Sequence, residues 1–296
     1  MKDLETEKRN CSSMNLDSLS IGDILSLMNS EDKQIPFQIE KCIPEIEKVV
    51  ELVIASLSNK GRVIYIGAGT SGRLGVVDAV ETVPTFNVPK GLFTALMAGG
   101  NDAMFQAVEK AEDKEEEAVR MLKEIGFNNN DILIGISASG HTPFVKGGFK
   151  YSQTIKSKSV LICNVSNPEL KDFCDISINA VTGPEVLTGS TRLKAGTADK
   201  IILNMISTAS MVKMGKVYEN LMVDVVTTNE KLKYRAISIV CEATNADEET
   251  AKEKLKESKW NAKNAIVQIL LDVNAIEADI LLKKENGFIR KVIKNK

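Results

Sequence analysis

A chain of 296 residues, 43% hydrophobic and 26% charged, has the apolar material for a sizeable core, either one large α/β domain or a domain with an appendage. Its formal net charge of −2 argues against a protein that coats nucleic acid or an anionic membrane, so any anion must be recognised locally. A single histidine and five scattered cysteines without a C-x-x-C argue against a zinc site and point to reduced thiols.

The opening "MKDLETEKRN" is charged and precedes no apolar run, so no leader is expected, and no stretch is long and apolar enough to span a bilayer. A cytoplasmic location follows as the default. Residues 1 to about 20 are polar and are expected to be loose or to cross to a partner subunit. "PFQIEKCIPEIEKVVELVIASLS", Pro36 to Ser58, spaces its apolar residues for a helix and stops at Asn59-Lys60-Gly61.

An alternation then begins. "RVIYIG" reads as a buried strand, Leu74 to Glu81 as a helix halted by Pro84, and "GLFTALMAG" as a strand. Residues 102–124 read as a charged helix, "DILIGIS" as a strand, 143–156 as a helix, "KSVLICNVS" and "DISINAV" as strands, and Lys194 to Met214 as a long helix. Strands alternating with helices predict βαβ units and a doubly wound parallel sheet, with ligands at the carboxyl ends of the strands. After about Glu230 the chain is helical and rich in Lys and Glu. "TNADEETAKEKLKESKWNAKNAIVQIL" looks like a ubiquitin-associated-type three-helix unit, with Thr244 or Asn245 as a cap and a structural role. The expected organisation is an N-terminal segment, 1–35, a catalytic domain, 36–230, and a helical domain, 231–296.

Gly67-x-Gly69-x-x-Gly72 has the spacing of a dinucleotide fingerprint, but three features speak against NAD. The second strand ends in "MAGG" with Asp102 beyond it, so the acidic residue that would hold a ribose is missing. The turn carries adjacent hydroxyls, Thr70 and Ser71, which suit a terminal phosphate. Its pattern also recurs: Ile66-Gly67-x-x-x-Ser71-Gly72 is echoed by Ile134-Gly135-x-x-x-Ser139-Gly140, with Ser137 inside the second copy. Two strand-to-helix turns offering hydroxyls, N–H groups and helix N-termini point to a phosphate monoester. Thr70, Ser71, Ser137, Ser139 and Thr142 are its candidate ligands. His141 lies in the second turn and reads as a loop residue.

Two such turns on one sheet resemble the sugar isomerase (SIS) domain, which binds phosphosugars. "GAGTSGRLGVVDAVETVPTF", "VEKAED", "GISASGHTPFV", "GPEVLTGSTRLKAGTADK" and "TNEKLKYRA" further resemble the N-acetylmuramic acid 6-phosphate etherase family, from about Leu16 to "GFIRKVI". The expected fold class is therefore α/β, a doubly wound parallel sheet of SIS type with a small C-terminal three-helix appendage. The Gly183–Lys200 segment is shared with the glucokinase regulatory protein, which is about twice as long and carries two SIS domains. The alternative is thus a non-catalytic phosphosugar sensor, while length favours the etherase. The first 60 residues lack basic recognition positions, so no nucleic acid partner is expected.

The resemblance implies removal of D-lactate from carbon 3 of a phosphosugar in cell-wall amino sugar recycling, by a homodimer needing neither metal nor redox cofactor. It implies catalytic roles for Glu81 and Glu112. The residues lend each some support of their own. Glu81 would lie near a helix end among the apolar residues of "AVETV", where dipole and desolvation favour a protonated acid, although an ordinary solvated glutamate fits as well. Glu112 sits in "VEKAEDKEEEAV", whose like charges would keep it basic, although such a run is commonly a wet helix face. Glu185, Ser190, Arg192 and Lys194 are candidate contacts to the sugar or its lactyl carboxylate, with an intersubunit ion pair as the other reading of Arg192 and Lys194. Asn220 and Asp224 in "YENLMVDV" have no evident role. Met205, Met211 and Met214, at near-helical spacing, read as core or dimer interface.

Overall fold

Three strands carry almost no polar residue: β1 (Val63–Gly67), β3 (Ile132–Ile136) and β4 (Lys158–Cys163) are buried along their length except at Lys158. Such runs without alternation belong in the middle of a parallel sheet covered on both faces. The partly exposed β2 (Phe93–Met97) and β5 (Ile176–Asn179) form its edges. In the computed structural model, which describes residues 4–227 and 229–295, all strand pairs are parallel and the order is β2-β1-β3-β4-β5. The chain leaves β1 toward one edge and returns on its other side as β3. That reversal leaves a crevice at the carboxyl ends of β1 and β3, the place where open α/β sheets bind ligands.

Helices close both faces. Before the sheet come α1 (Ile21–Asp32), α2 (Ile35–Glu40) and α3 (Ile43–Ser58); α3 packs on β1, β3 and β5. The crossovers are α4 (Gly69–Phe86), α5 (Glu115–Glu124) and α6 (Pro143–Ile155), followed by α7 (Lys194–Lys213). One core cluster joins Ala118 and Leu122 of α5 and Phe144, Val145 and Phe149 of α6 to Ile64, Ile66, Leu133 and Leu161 of the strands. By contacts the chain divides into two compact units, Met1–Val80 with Gly91–Ser207, and Glu81–Lys90 with Thr208–Lys296.

Local structure departs from the sequence reading at several places. The helix expected over 36–58 is two helices, broken at Lys41 and Cys42, because Pro44 in the first turn of α3 has no N–H to carry the hydrogen-bond ladder back into α2. The helix expected over 74–81 begins at Gly69 and runs through Pro84 to Phe86. Near a helix end a proline forfeits little, and Asn87 N–H still reaches the Val83 carbonyl at 2.9 Å. The stretch 102–124 is helical only over α5. Upstream it forms short 3₁₀ turns at Asn101–Met104 and Ala111–Asp113, with Lys110 in the left-handed region at φ 60°. Over its described residues the N-terminal segment, expected to be loose or to cross to a partner, makes contacts within its own chain. Thr6 is fully buried, Glu5 accepts a hydrogen bond from Ser166 N–H, and Asn10 Nδ2 donates to the Pro184 carbonyl at 3.3 Å. In the appendage, Asn245 is the left-handed C-cap of α8 and Asp247 is the N-cap that follows, accepting from Thr250 N–H at 2.7 Å.

Among the described residues the second unit holds α8 (Glu230–Thr244), α9 (Glu248–Glu257), α10 (Ala262–Leu271), α11 (Ala275–Lys284) and α12 (Ile289–Lys294), five helices where three were expected. The central α10 buries seven consecutive residues, Ala262 to Gln268. Asn229, Asp247, Asn261 and Asn274 each cap a helix with a side-chain oxygen. Asp224, without a role in the sequence reading, is clamped between Lys216 at 3.1 Å and Lys263 at 2.6 Å. It thereby pins the "YENLMVDV" segment to α10.

Candidate active site

The turn after β1 is built by glycine contact. A Cβ on Gly72 would lie 2.7 Å from the Gly67 carbonyl oxygen and 2.9 Å from Met97 Cγ, so the helix starts against the strand end with no side chain between them. Gly69 opens α4 at φ +52° with nothing within 4 Å of where its Cβ would be. Thr70 and Ser71 therefore lie in the first turn of the helix, half-buried, among N–H groups that have no intrahelical partner.

The second turn has the same composition and a different geometry. Sheet register sets Gly67 opposite Ile136, so the segments starting at Ala68 and Ser137 leave the sheet side by side. Gly135, the counterpart of Gly67 in the sequence echo, lies inside the strand, where a Cβ would be 2.5 Å from both Phe149 and Val145. It serves helix packing rather than the turn. Ser137 and Thr142 share a hydrogen bond between their hydroxyls at 2.7 Å, and Thr142 is the N-cap residue of α6. Ser139 is half-buried; its carbonyl faces His141 Nδ1 at 2.7 Å. His141 is thus held within its own loop, as the sequence suggested.

A third helix start joins the first. A Cβ on Gly196 of α7 would stand 3.3 Å from Thr70 Cγ2, and Ser207 further along α7 donates to Asp78 of α4 at 3.0 Å. The two helices therefore run side by side in the same direction over this stretch. The start of α7 is capped by Glu185, fully buried, whose two oxygens accept from Lys194 N–H and Ala195 N–H at 3.0 Å each. Burial raises the Glu185 carboxyl above its ordinary value, against the pull of those two donors. Lys194, 4% exposed, places its ammonium 2.6 Å from Glu31 of α1. Glu185 and Lys194, expected as substrate contacts, thus have internal partners, whereas Ser190 is half-buried and Arg192 exposed.

Beside the β1 turn opens a cleft of about 240 Å³ lined by Ala68, Gly69, Arg73, Met97, Val108 and Glu112 among others. Arg73 builds its wall, donating to the carbonyls of Ala103 at 2.7 Å, Met104 at 3.1 Å and Gln106 at 3.2 Å. The structure thus brings Glu112 to the first turn's glycine, as part of a 3₁₀ turn rather than on a helix face. Glu81 is exposed, and because α4 continues to Phe86 it precedes the last helical turn.

Three residues near the turns went unremarked in the sequence. Arg73 is one. Asp78 is another, buried with Tyr65 Oη donating at 2.8 Å and Ser207 at 3.0 Å, its carboxyl raised by burial. The third is Asp199, fully buried in α7, which accepts the Ser71 hydroxyl at 3.4 Å and is pushed up to about 7, chiefly by burial. The signal available for Asp199 was a charged residue at a helical position whose neighbours in the pattern are buried. Among the described residues no group of three or more His, Cys, Asp or Glu side chains is placed to hold a metal ion, and no helix is long and apolar enough to cross a membrane.

Known proteins match at several levels. The family model of the glucokinase regulatory protein N-terminal SIS domain matches residues 45–153. The chain is 50% identical over 293 residues, 99% of its length and all of the relative's, to the N-acetylmuramic acid 6-phosphate etherase of Bacillus cereus. It is 50% identical over 290 residues to the enzyme of that name from Geobacillus sp., covering 98% of each chain. The figure for Actinobacillus pleuropneumoniae is 47% over 290 residues, covering 98% of this chain and 95% of that one. Among solved structures it is similar to a phosphoheptose isomerase from Neisseria gonorrhoeae, at a TM-score of 0.48 and 16% identity over 64% of this chain and 98% of that one. A phosphoheptose isomerase from Francisella tularensis gives 0.47 and 18%, over 64% and 99%.

Proposed function

Because this chain belongs to the N-acetylmuramic acid 6-phosphate etherase family, we propose a division of labour among its residues at the carboxyl edge of the sheet. The enzyme cleaves the lactyl ether of N-acetylmuramic acid 6-phosphate, giving N-acetylglucosamine 6-phosphate and D-lactate. Half of the residues are shared with curated etherases over nearly the whole length, so the non-catalytic sensor is not favoured.

Direct displacement at an ether is difficult, because an alkoxide leaves poorly and nothing stabilises charge at carbon 3. Opening the ring places carbon 2 next to an aldehyde and makes its proton removable. A base takes that proton, the electron pair forms the carbon 2–carbon 3 double bond, and the carbon 3–oxygen bond breaks. An acid protonates the departing lactyl oxygen. Water then adds, its hydroxyl to carbon 3 and its proton to carbon 2.

In this reading Glu112 is the base, supported by its place in the cleft beside Gly69. Glu81, further along the helix that begins at the phosphate turn, is the acid, a role that rests on the family resemblance. Thr70, Ser71, Ser137, Ser139 and Thr142 hold the 6-phosphate. They are supported by the adjacent exits of β1 and β3 and by the helix starts of α4 and α6. Ser190 and Arg192 meet the sugar or its lactyl carboxylate. Glu185 and Lys194 act through the backbone they fix, holding the Gly183–Lys200 segment at the start of α7. We further infer a cytoplasmic homodimer working in cell-wall sugar recycling. Exposed apolar side chains on α4, Val77 at 37% and Val80 at 60%, support a partner surface beside Glu81.

The observation that carries the site is Glu112 lining the cleft at the first turn. Turnover in heavy water is expected to place deuterium at carbon 2, and labelled solvent oxygen to appear at carbon 3. Glu112→Gln and Glu81→Gln are each expected to lower kcat by about 10²–10⁴-fold with product binding retained. Solvent oxygen recovered in the lactate, or full activity in both variants, refutes the scheme.

A further inference from the structure

Beneath the first turn of α4 lies a carboxyl that the reaction above leaves without a task. Asp199 is fully buried; its Oδ2 accepts the Ser71 hydroxyl at 3.4 Å, and its Oδ1 has no hydrogen-bond partner. The side chain of Asn164 lies against it; its amide donates to the Ala180 carbonyl at 3.3 Å and lends the carboxyl a weak pull toward ionisation that burial outweighs, while the Asn164 Oδ1 is buried without a partner. Two neighbouring buried acceptors lacking a donor suit an ionised carboxylate poorly. A protonated carboxyl relieves the conflict, because the neutral acid itself becomes a donor.

No cation among the described residues offsets a charge at this point. On α4, Arg73 is spent on the carbonyls of Ala103, Met104 and Gln106. On α7, Lys194 pairs with Glu31 and Lys200 donates to Asn204, while Glu185 is held by the N–H groups of the helix start. On the β3–α6 loop, His141 faces the Ser139 carbonyl and Glu169. On the β4 side the titratable neighbour is the Cys163 thiol, itself pushed up to about 12, chiefly by burial.

Resting on the reading that the Ser71 turn grips the 6-phosphate, we propose that Asp199 is a positioning residue that must carry a proton for the phosphosugar dianion to bind. As a neutral acid it leaves the Ser71 hydroxyl hydrogen free to point at a phosphate oxygen. As a carboxylate it draws that hydrogen inward and sets a like charge beneath the dianion. Burial brings its titration to about 7 in the free protein, and a bound dianion shifts it further up. The phosphate monoester loses its second proton near pH ~6. Affinity therefore rises as the ligand becomes a dianion and falls as Asp199 ionises, and binding above neutrality takes up a proton.

The test uses the full-length enzyme and N-acetylglucosamine 6-phosphate, with Kd measured by calorimetry from about pH 6 to about pH 9 in buffers of different ionisation enthalpy. For the native protein, Kd is expected to rise toward about tenfold per pH unit above its optimum, with proton uptake on binding. Asp199→Asn is expected to bind with a flat profile above about pH 7, once the ligand is a dianion, and without proton uptake there. A native Kd independent of pH, or an Asp199→Asn variant that keeps the native slope, overturns the proposal. Proton uptake by the native protein needs no variant and decides the matter if Asp199→Asn does not fold. Ser71→Ala separates the two levels of argument. Unchanged affinity in that variant defeats the phosphate-turn reading itself, whereas weakened binding with the slope kept in Asp199→Asn defeats the coupling alone.

Discussion

Replacing Glu185 by glutamine separates the role read in the sequence from the one seen in the structure. The native carboxylate is fully buried and accepts two backbone N–H groups at 3.0 Å each at the start of α7. Glutamine keeps one carbonyl oxygen for one donor and turns an NH₂ toward the other, leaving a buried N–H facing a second donor. Losing a hydrogen bond to a charged acceptor costs about 1.5–3 kcal/mol, and weakening the other adds roughly 1 kcal/mol. Some of this is returned, because burial already disfavours the charge, as the raised carboxyl indicates. The net expectation is a loss of about 2–3 kcal/mol, or a Tm lowered by roughly 5–10 °C for a unit of this size. Calorimetry and steady-state kinetics on the same sample decide it. A Tm unchanged within about 1 °C, together with a large loss of kcat/KM, refutes the capping argument and returns Glu185 to the substrate.

Other outcomes follow from the same geometry. Gly72→Ala drives a methyl to 2.7 Å from the Gly67 carbonyl and is expected to cost about 1–3 kcal/mol and weaken phosphosugar binding. Gly69→Ala meets open space and costs only the strain of φ +52°, about 1 kcal/mol, so denaturant midpoints should rank the two. Tyr65→Phe removes a donor that favours ionised Asp78, so its stability deficit should grow as pH rises through the raised titration of that carboxyl; a deficit independent of pH counts against the pairing. Alkylation of the folded protein near pH ~8 should label exposed Cys11 and spare buried Cys163, whose thiol is pushed up to about 12; peptide mass spectrometry reads this directly.

The central strands of the sheet were legible because each is a short, nearly continuous apolar run between polar segments, which is what burial on both faces of a parallel sheet demands. Family membership was equally legible, since "GPEVLTGSTRLKAGTADK" is long and unusual. The two glycine–serine turns were legible by composition, although their echo conceals a difference. Gly67 shapes a turn and Gly135 packs a helix, a contrast set by the neighbours each meets and not by the spacing they share. Pro84 misled as a stop signal, because so close to the helix end it forfeits little and α4 runs on to Phe86. The charged run around Glu112 misled in the other direction, because polar residues over 102–114 specify turns as readily as a helix.

The sequence by itself determined the alternation of strands and helices, the glycine–serine composition of the turns and the family, all of which depend on local pattern. What only the tertiary structure decided is which polar groups meet. Arg73 shores up the cleft wall, Glu185 caps α7, and Asp199 lies beneath Ser71 across a long stretch of intervening chain. A buried polar side chain takes its partner from whatever backbone the fold lays beside it, and no local pattern along the chain records that neighbour.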